Sequence, residues 1–336
     1  MRSVYIVFPE KEKVEIREET IAPPEPGEVL CAAEKSLISI GTESYCLRGV
    51  FDPGTNWAAW VRYPFRPGYS MVARVAAVGR DVAALKEGDR VAVSINHQQF
   101  FKIQPHEAHL IPEAIDDEAA AWANLACTTQ LGIRRAQLQL GETVGVVGLG
   151  MLGQLVIQYL ALSGARKIIA IDPVQSRLDL ARAHGATHTL ALDVIKARPE
   201  VEKITAGKML DVVFDITGHP AVLAPSIQLL RRLGRVILLG DTPTPTQQYL
   251  GPGVVSNSIA ILGIHASMRP EQASEFNPWT LQEMTSLFFD YLSQGRMRVS
   301  DLVTHRHTPL DAPQVYDMLR RDRSAAIGVI FDWSLL

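Results

Sequence analysis

The chain has 336 residues, 47% of them hydrophobic, which is length and apolar content enough for two buried cores. A formal net charge of −3, with no basic run and no basic–aromatic interleaving, argues against nucleic acid or an anionic membrane as the main partner. Three cysteines, Cys31, Cys46 and Cys127, show neither CxxC pairing nor disulfide-type spacing, and no signal-like or membrane-length apolar stretch occurs, so a soluble cytoplasmic protein is expected.

Residues 1 to about 120 carry short alternating apolar segments: Ser3 to Val7, Glu28 to Ala33, Ser70 to Val78 and Arg90 to Ser94. Turn signals separate them, at Pro23-Pro24-Glu25-Pro26-Gly27, Asp52-Pro53-Gly54, Arg66-Pro67-Gly68 and Glu87-Gly88-Asp89. This pattern predicts a small β-rich domain. From Asp116 the chain turns helical, through a run of alanines to Leu125, Cys127 and Gly132.

Thr143 to Val147 reads as a buried strand, Met151 to Leu162 as a helix, and Lys167 to Ile171 as a second strand. The alternation continues with a helix over Gln175 to His184, strands at His188 to Leu190 and Asp211 to Ile216, and a helix over Ala221 to Arg232. Strands at Arg235 to Leu239 and Ser258 to Leu262 complete a six-stranded doubly wound sheet. A long helix around Thr280 to Ser293 and a closing strand–helix–strand segment are assigned back to the first domain. The expected division is therefore 1–126, 127–266 and 267–336.

Between the first strand and helix of this sheet lies Gly148-Leu149-Gly150-Met151-Leu152-Gly153. Gly148 permits the tight turn, Gly150 lets the backbone approach a pyrophosphate, and Gly153 lets helix pack on strand. The helix N-terminus attracts the phosphate charge. Asp172 follows the second strand, roughly 20 residues past the glycines, where a carboxylate accepts from both ribose hydroxyls and repels a 2′-phosphate. The cofactor is read as NAD(H), with Arg177 as a nearby residue able to accommodate a 2′-phosphate.

The order of these features resembles the medium-chain dehydrogenase/reductase superfamily. Carrying the resemblance are Gly88-Asp89-Arg90-Val91, the glycine turn, Gly185-Ala186, Phe214 to Gly218, Gly234-Arg235-Val236 and Gly240-Asp241. It implies an α/β protein: a Rossmann doubly wound parallel sheet plus a discontinuous GroES-like, β-rich catalytic domain. Where zinc-dependent members place their ligands, this chain has Ile40 before Gly41-Thr42-Glu43, Tyr69-Ser70 after Gly68, and Leu125 before Ala126-Cys127. Those side chains do not supply the three N, S or O ligands of a catalytic zinc, so the site is expected to be metal-free. Ser36 to Glu43, Gly68-Tyr69 and the closing Asp332-Trp333 look similar to a zinc-lacking branch that contains bacteriochlorophyllide a dehydrogenase.

The resemblance implies interconversion of a secondary alcohol and a ketone. Thr42 falls at the family's proton-relay hydroxyl, Tyr45 at a second relay position, and Tyr69 in place of a zinc ligand. His97 falls where relatives line the substrate pocket, and its ordinary pKa suits a general base. Glu43, Trp57 and Trp60 are assigned to substrate, the tryptophans because aromatic faces suit a sugar, cyclitol or other cyclic alcohol. Thr129, Gly240 and His265 are assigned to the cofactor beside the glycine turn. An edge strand from Ser258 to His265 implies a homodimer. The alternatives are a quinone or enoyl reductase of the same superfamily and a dinucleotide-binding protein without turnover.

Overall fold

The computed structural model describes residues 1–336. It opens with β1 (Arg2–Val7), β2 (Glu15–Thr20) and β3 (Val29–Leu37), then α1 (Ile40–Arg48) and α2 (Asn56–Trp60). There follow β4 (Met71–Val78), β5 (Arg90–Val93), β6 (Phe100–Ile103), β7 (His109–Leu110), α3 (Asp117–Ala120) and α4 (Ala123–Arg135). The alternating part comprises β8 (Thr143–Val147), α5 (Met151–Leu162), β9 (Lys167–Ile171), α6 (Gln175–Ala183), β10 (His188–Leu190), α7 (Arg198–Ile204), β11 (Leu210–Asp215), α8 (Leu223–Ile227), β12 (Leu230–Leu238) and β13 (Ala260–Gly263). The chain closes with α9 (Leu281–Ser293), β14 (Val303–His307), α10 (Ala312–Arg321) and β15 (Gly328–Asp332).

These elements form two compact units, Met1–Leu125 with Thr285–Leu336, and Ala126–Met284. The return to the first unit thus falls at position 285 rather than 267, because residues 267–284 cluster with the second unit. Gln130 Nε2 donates to the Met284 carbonyl at 2.6 Å, and the Arg134 guanidinium lies 3.2 Å from the centre of the Trp279 ring.

The first unit is built on a seven-stranded sheet ordered β14-β15-β3-β4-β5-β7, with β6 also paired to β3. Its hub is β3, whose inner residues Val29, Cys31, Ser36 and Leu37 are fully buried. Pairing of Leu37 with Ile330 and Ser36 with Phe331 on β15 brings the C-terminal segment against the end of β3. That junction leads directly into α1, so whatever α1 displays is held by residues from both ends of the chain.

The second unit holds a parallel six-stranded sheet, β10-β9-β8-β11-β12-β13. Successive side chains leave a strand on opposite faces. Val146, Phe214 and Ile237 therefore join one core with Leu149, Val156 and Leu160 of the α5 side. Val147, Val213 and Val236 join the other with Val201 and Ile227. Burial on both faces is why these strands are apolar runs rather than alternating ones. The order reverses between β8 and β11, and ligands of such sheets bind at the carboxyl ends there.

The expected helix over Ala221 to Arg232 is corrected. Only Leu223–Ile227 is helical, and β12 begins at Leu230. Leu230 pairs with Leu210, and Leu233 takes a positive φ of 61° with its N–H on the Asn257 carbonyl, so sheet pairing claims the leucines that local propensity assigns to a helix. Helices α1 and α2 are not announced by the strand-like pattern around them; Gly49, at φ 62°, ends α1 in the left-handed region. No helix is long and apolar enough to cross a membrane.

Candidate functional site

At the carboxyl end of β8, Gly148 has φ 89°, and a Cβ there would meet Thr217 Cγ2 at 2.8 Å. Gly153 sits under the same turn, where a Cβ would lie 2.1 Å from the Gly148 carbonyl oxygen. Gly150 differs: a Cβ there would meet nothing within 4 Å. Gly150 is also the N-cap of α5 and has no side chain to satisfy the first-turn N–H groups. The turn is therefore closed beneath and open above, as a phosphate cradle requires. Leu149 and Met151 are buried. Gly240 closes the neighbouring turn, where a Cβ would press on the Gly218 N and Ile216 O atoms at 2.5 Å.

Asp172 is only 4% exposed. Its Oδ2 accepts from the Leu149 N–H and its Oδ1 from the Val174 N–H, both at 2.8 Å. Arg177 approaches Oδ2 at 3.8 Å. The carboxylate thus ties the glycine turn to the end of β9. Nearby, burial pushes the Asp215 carboxyl up to about 6, against the lowering effect of hydrogen bonds from Thr217 N and Oγ1.

In the first unit, three hydroxyls form a line. Thr42 Oγ1 lies 3.3 Å from Tyr69 Oη, and Tyr69 Oη donates to Ser39 Oγ. Burial pushes the Tyr69 phenol up to about 12; its bonds to Ser39 and Thr42 pull the other way, and the nearby Glu43 charge adds to the rise. The turn that delivers Tyr69 is strapped at its backbone. Asn96 Nδ2 donates to the Arg66 and Gly68 carbonyls, and Asn124 Nδ2 donates to the Tyr69 carbonyl at 2.9 Å. Gly68 has φ 99° and rests against the His97 ring, which a Cβ would meet at 2.7 Å.

Behind this line lies a wholly buried network. Glu43 Oε1 accepts from the Ser39 N–H at 2.7 Å, while Oε2 accepts from Tyr316 Oη and from His97 Nε2 at 3.2 Å. His97 Nδ1 meets Ser36 Oγ at 2.8 Å, and Trp333 Nε1 donates to the same oxygen at 2.8 Å. The carboxylate can only accept, so His97 Nε2 carries a hydrogen. Burial first, and then the Glu43 charge, hold the Tyr316 phenol well above its ordinary value.

Along α1, Thr42 and Tyr45 stand three residues apart and share a face. The Tyr45 ring meets the edge of Trp57 at 5.7 Å, Phe51 stacks on Trp57 at 6.0 Å, and Trp60 completes an aromatic cluster with 45% of its surface exposed.

Residues 33–157 match a family described as the alcohol dehydrogenase GroES-like domain, and residues 152–283 a family described as zinc-binding dehydrogenase. The sorbitol dehydrogenase of Bacillus subtilis (strain 168) is 28% identical over 61% of this chain and 67% of its own length. The D-guloside 3-dehydrogenase of Escherichia coli (strain K12) is 25% identical over 80% of this chain and 78% of its own. A crystal structure from Sinorhizobium meliloti 1021, bound to NADP, shares the fold with a TM-score of 0.80 at 19% identity, covering 99% of each chain. The chain belongs to the medium-chain dehydrogenase/reductase superfamily. These similarities carry the superfamily and its fold, not the narrower branch that contains bacteriochlorophyllide a dehydrogenase.

As a medium-chain dehydrogenase/reductase, the chain can be tested for a fit to catalytic zinc. Ile40 and Leu125 are buried hydrocarbons, and Tyr69 is a protonated phenol already paired with two hydroxyls. No three His, Cys, Asp or Glu side chains come together to hold an ion. Cys46 and Cys127 are buried, and burial raises the Cys46 thiol pKa, which disfavours a thiolate ligand. The residues present do not fit zinc. The glycine turn does fit a dinucleotide, because its one open position is the one a phosphate would approach.

Three residues expected at the substrate or cofactor lie elsewhere. His97 is fully buried with both ring nitrogens engaged, so it braces the fold and does not line a pocket. Glu43, 1% exposed and held by three donors, likewise faces inward and not toward substrate. Thr129 is fully buried, with its hydroxyl donating to the Ala126 carbonyl of its own helix. His265 is exposed, its Nδ1 on Ser267 Oγ at 2.7 Å. Ser39, given no role of its own within the Ser36–Glu43 segment, and Tyr316, singled out by no motif, complete the arrangement. The one signal for Ser39 is its place directly before a helix that begins Ile-Gly-Thr-Glu.

Proposed function

We propose that this protein is a zinc-independent, NAD(H)-dependent oxidoreductase that interconverts a secondary alcohol and a ketone, with polyols, sugars and cyclitols as the substrate class. The observation that carries this reading is the hydroxyl line Thr42–Tyr69–Ser39, whose middle member, Tyr69, falls by resemblance in place of a zinc ligand. A bound nicotinamide dinucleotide supplies the hydride acceptor or donor. Gly148, Gly150 and Gly153 shape its phosphate cradle, with Leu149, Met151 and Leu152 lending backbone, and Asp172 reads the ribose. Without a metal to acidify the alcohol, hydrogen bonds must manage the proton. Hydroxyls both donate and accept, so a line of them can reverse direction as the substrate oxygen loses or gains its proton. Thr42 would touch that oxygen, with Tyr69 behind it and Tyr45, Trp57 and Trp60 walling the ring. The names of the relatives, sorbitol and guloside dehydrogenases, support a polyhydroxylated substrate.

Chelator-treated protein supplied with NAD⁺ and a panel of polyols, sugars and cyclic alcohols is expected to generate NADH absorbance. Consumption of NADH by enones or quinones alone would replace the reading with C=C reduction. Activity that needs added zinc would end the metal-free part of it.

Asp172→Ala is expected to cut the NAD⁺ to NADP⁺ ratio of kcat/KM by about tenfold or more, since it deletes the ribose acceptor and removes the negative charge that would repel a 2′-phosphate beside Arg177. The same change strips the Leu149 N–H of its acceptor, so affinity for both cofactors should fall. An unchanged ratio would remove Asp172 as the ribose reader. The open edge of β13 supports a homodimer formed by strand pairing across a two-fold axis, measurable by sedimentation.

A further inference from the structure

We propose that Ser39 is a positioning residue of the reaction, aiming the Tyr69 phenol along the hydroxyl line toward Thr42. The inference rests on the reading of Thr42 and Tyr69 given above. Ser39 is the N-cap of α1, and a serine there ordinarily turns its hydroxyl onto a first-turn N–H. Here it makes no such bond. Its hydroxyl accepts from Tyr69 Oη instead, although the two residues are 30 positions apart.

The departure from the local rule is enforced from behind. Glu43 Oε1 takes the Ser39 N–H, and Glu43 is fixed in turn by His97 and Tyr316. The backbone of Ser39 is therefore pinned while its side chain is turned outward onto the phenol. A phenol has one hydrogen to give. Spending it on Ser39 leaves the Tyr69 oxygen to accept from Thr42, which sets the direction of the line before any proton moves. Ser39 is 7% exposed and touches the reaction only through Tyr69.

The test compares Ser39→Ala and Ser39→Thr in the full chain. With tyrosine labelled at ¹³Cζ, the Tyr69 resonance is identified by its loss in Tyr69→Phe, and its shift at neutral pH reports the phenol hydrogen bond. Ser39→Ala should move that resonance and Ser39→Thr should return it toward the parent position. With NAD⁺ and sorbitol, or whichever panel alcohol is oxidised, Ser39→Ala should lower kcat about tenfold while KM stays within about twofold, with Thr restoring most of the rate. A Tyr69 resonance indifferent to Ser39→Ala, or a moved resonance with kcat unchanged, would overturn the positioning role. A moved resonance in a protein that oxidises no alcohol would uphold the contact, refute its role in alcohol oxidation and refute the alcohol–ketone reading with it.

Discussion

Tyr69→Phe is expected to lower kcat for alcohol oxidation by about 10²-fold or more, while NADH affinity and the folded state persist. The substitution removes one oxygen and keeps the ring, so packing changes little. What is lost is the middle of the hydroxyl line: Thr42 Oγ1 and Ser39 Oγ both lose their partner. Positioned proton transfer contributes roughly 10² to 10⁴ in rate, and no metal ligand is at hand to take over the role. The phenol is pushed up to about 12, chiefly by burial, so it stays protonated throughout the neutral range. It serves as a hydrogen-bond donor and conduit rather than as a standing phenolate base, and the parent pH–rate profile should show no Tyr69 inflection at neutral pH. Steady-state kinetics beside NADH fluorescence titration checks both parts. A Phe variant with parental kcat would take Tyr69 out of the chemistry.

The parts of this arrangement that the sequence reveals are those written in short range. Strand β8, the glycine turn, α5 and β9 were bounded to the residue, because a tight turn between two buried apolar runs leaves little choice of register. Local propensity failed at Leu229-Leu230, where pairing with Leu210 outweighed helical preference. Positional resemblance failed for His97 and Glu43, polar residues that look available for chemistry. Their partners Ser36 and Tyr316 lie 61 and 273 positions away, so the network that buries them has no sequence signature. The Tyr69 and Ser39 pair is illegible for the same reason. A motif can say that tyrosine replaces a ligand, but not which hydroxyl the tyrosine then finds.

Two glycines of one motif are expected to fail in different ways when each becomes alanine. At Gly153 a Cβ would sit 2.1 Å from the backbone oxygen of Gly148, and backbone on a buried turn has nowhere to go. Helix α5 must then lift from β8, costing about 1–3 kcal/mol of overpacking strain and misplacing the phosphate cradle, so both thermal stability and NADH affinity should drop. At Gly150 the backbone is extended, with φ −71° and ψ −160°, and the Cβ would meet nothing. An alanine there fits the protein alone; it is a poorer N-cap than glycine but reduces the entropy of the unfolded chain, and with these opposed stability should change by less than about 1 kcal/mol. The methyl would nevertheless occupy the space a phosphate must approach, and NADH affinity should fall about tenfold or more. Thermal unfolding and NADH titration of the two variants separate the cases. Equal losses of stability would show that Gly150 serves the fold, and undiminished affinity in Gly150→Ala would show that the cofactor does not lie over this turn.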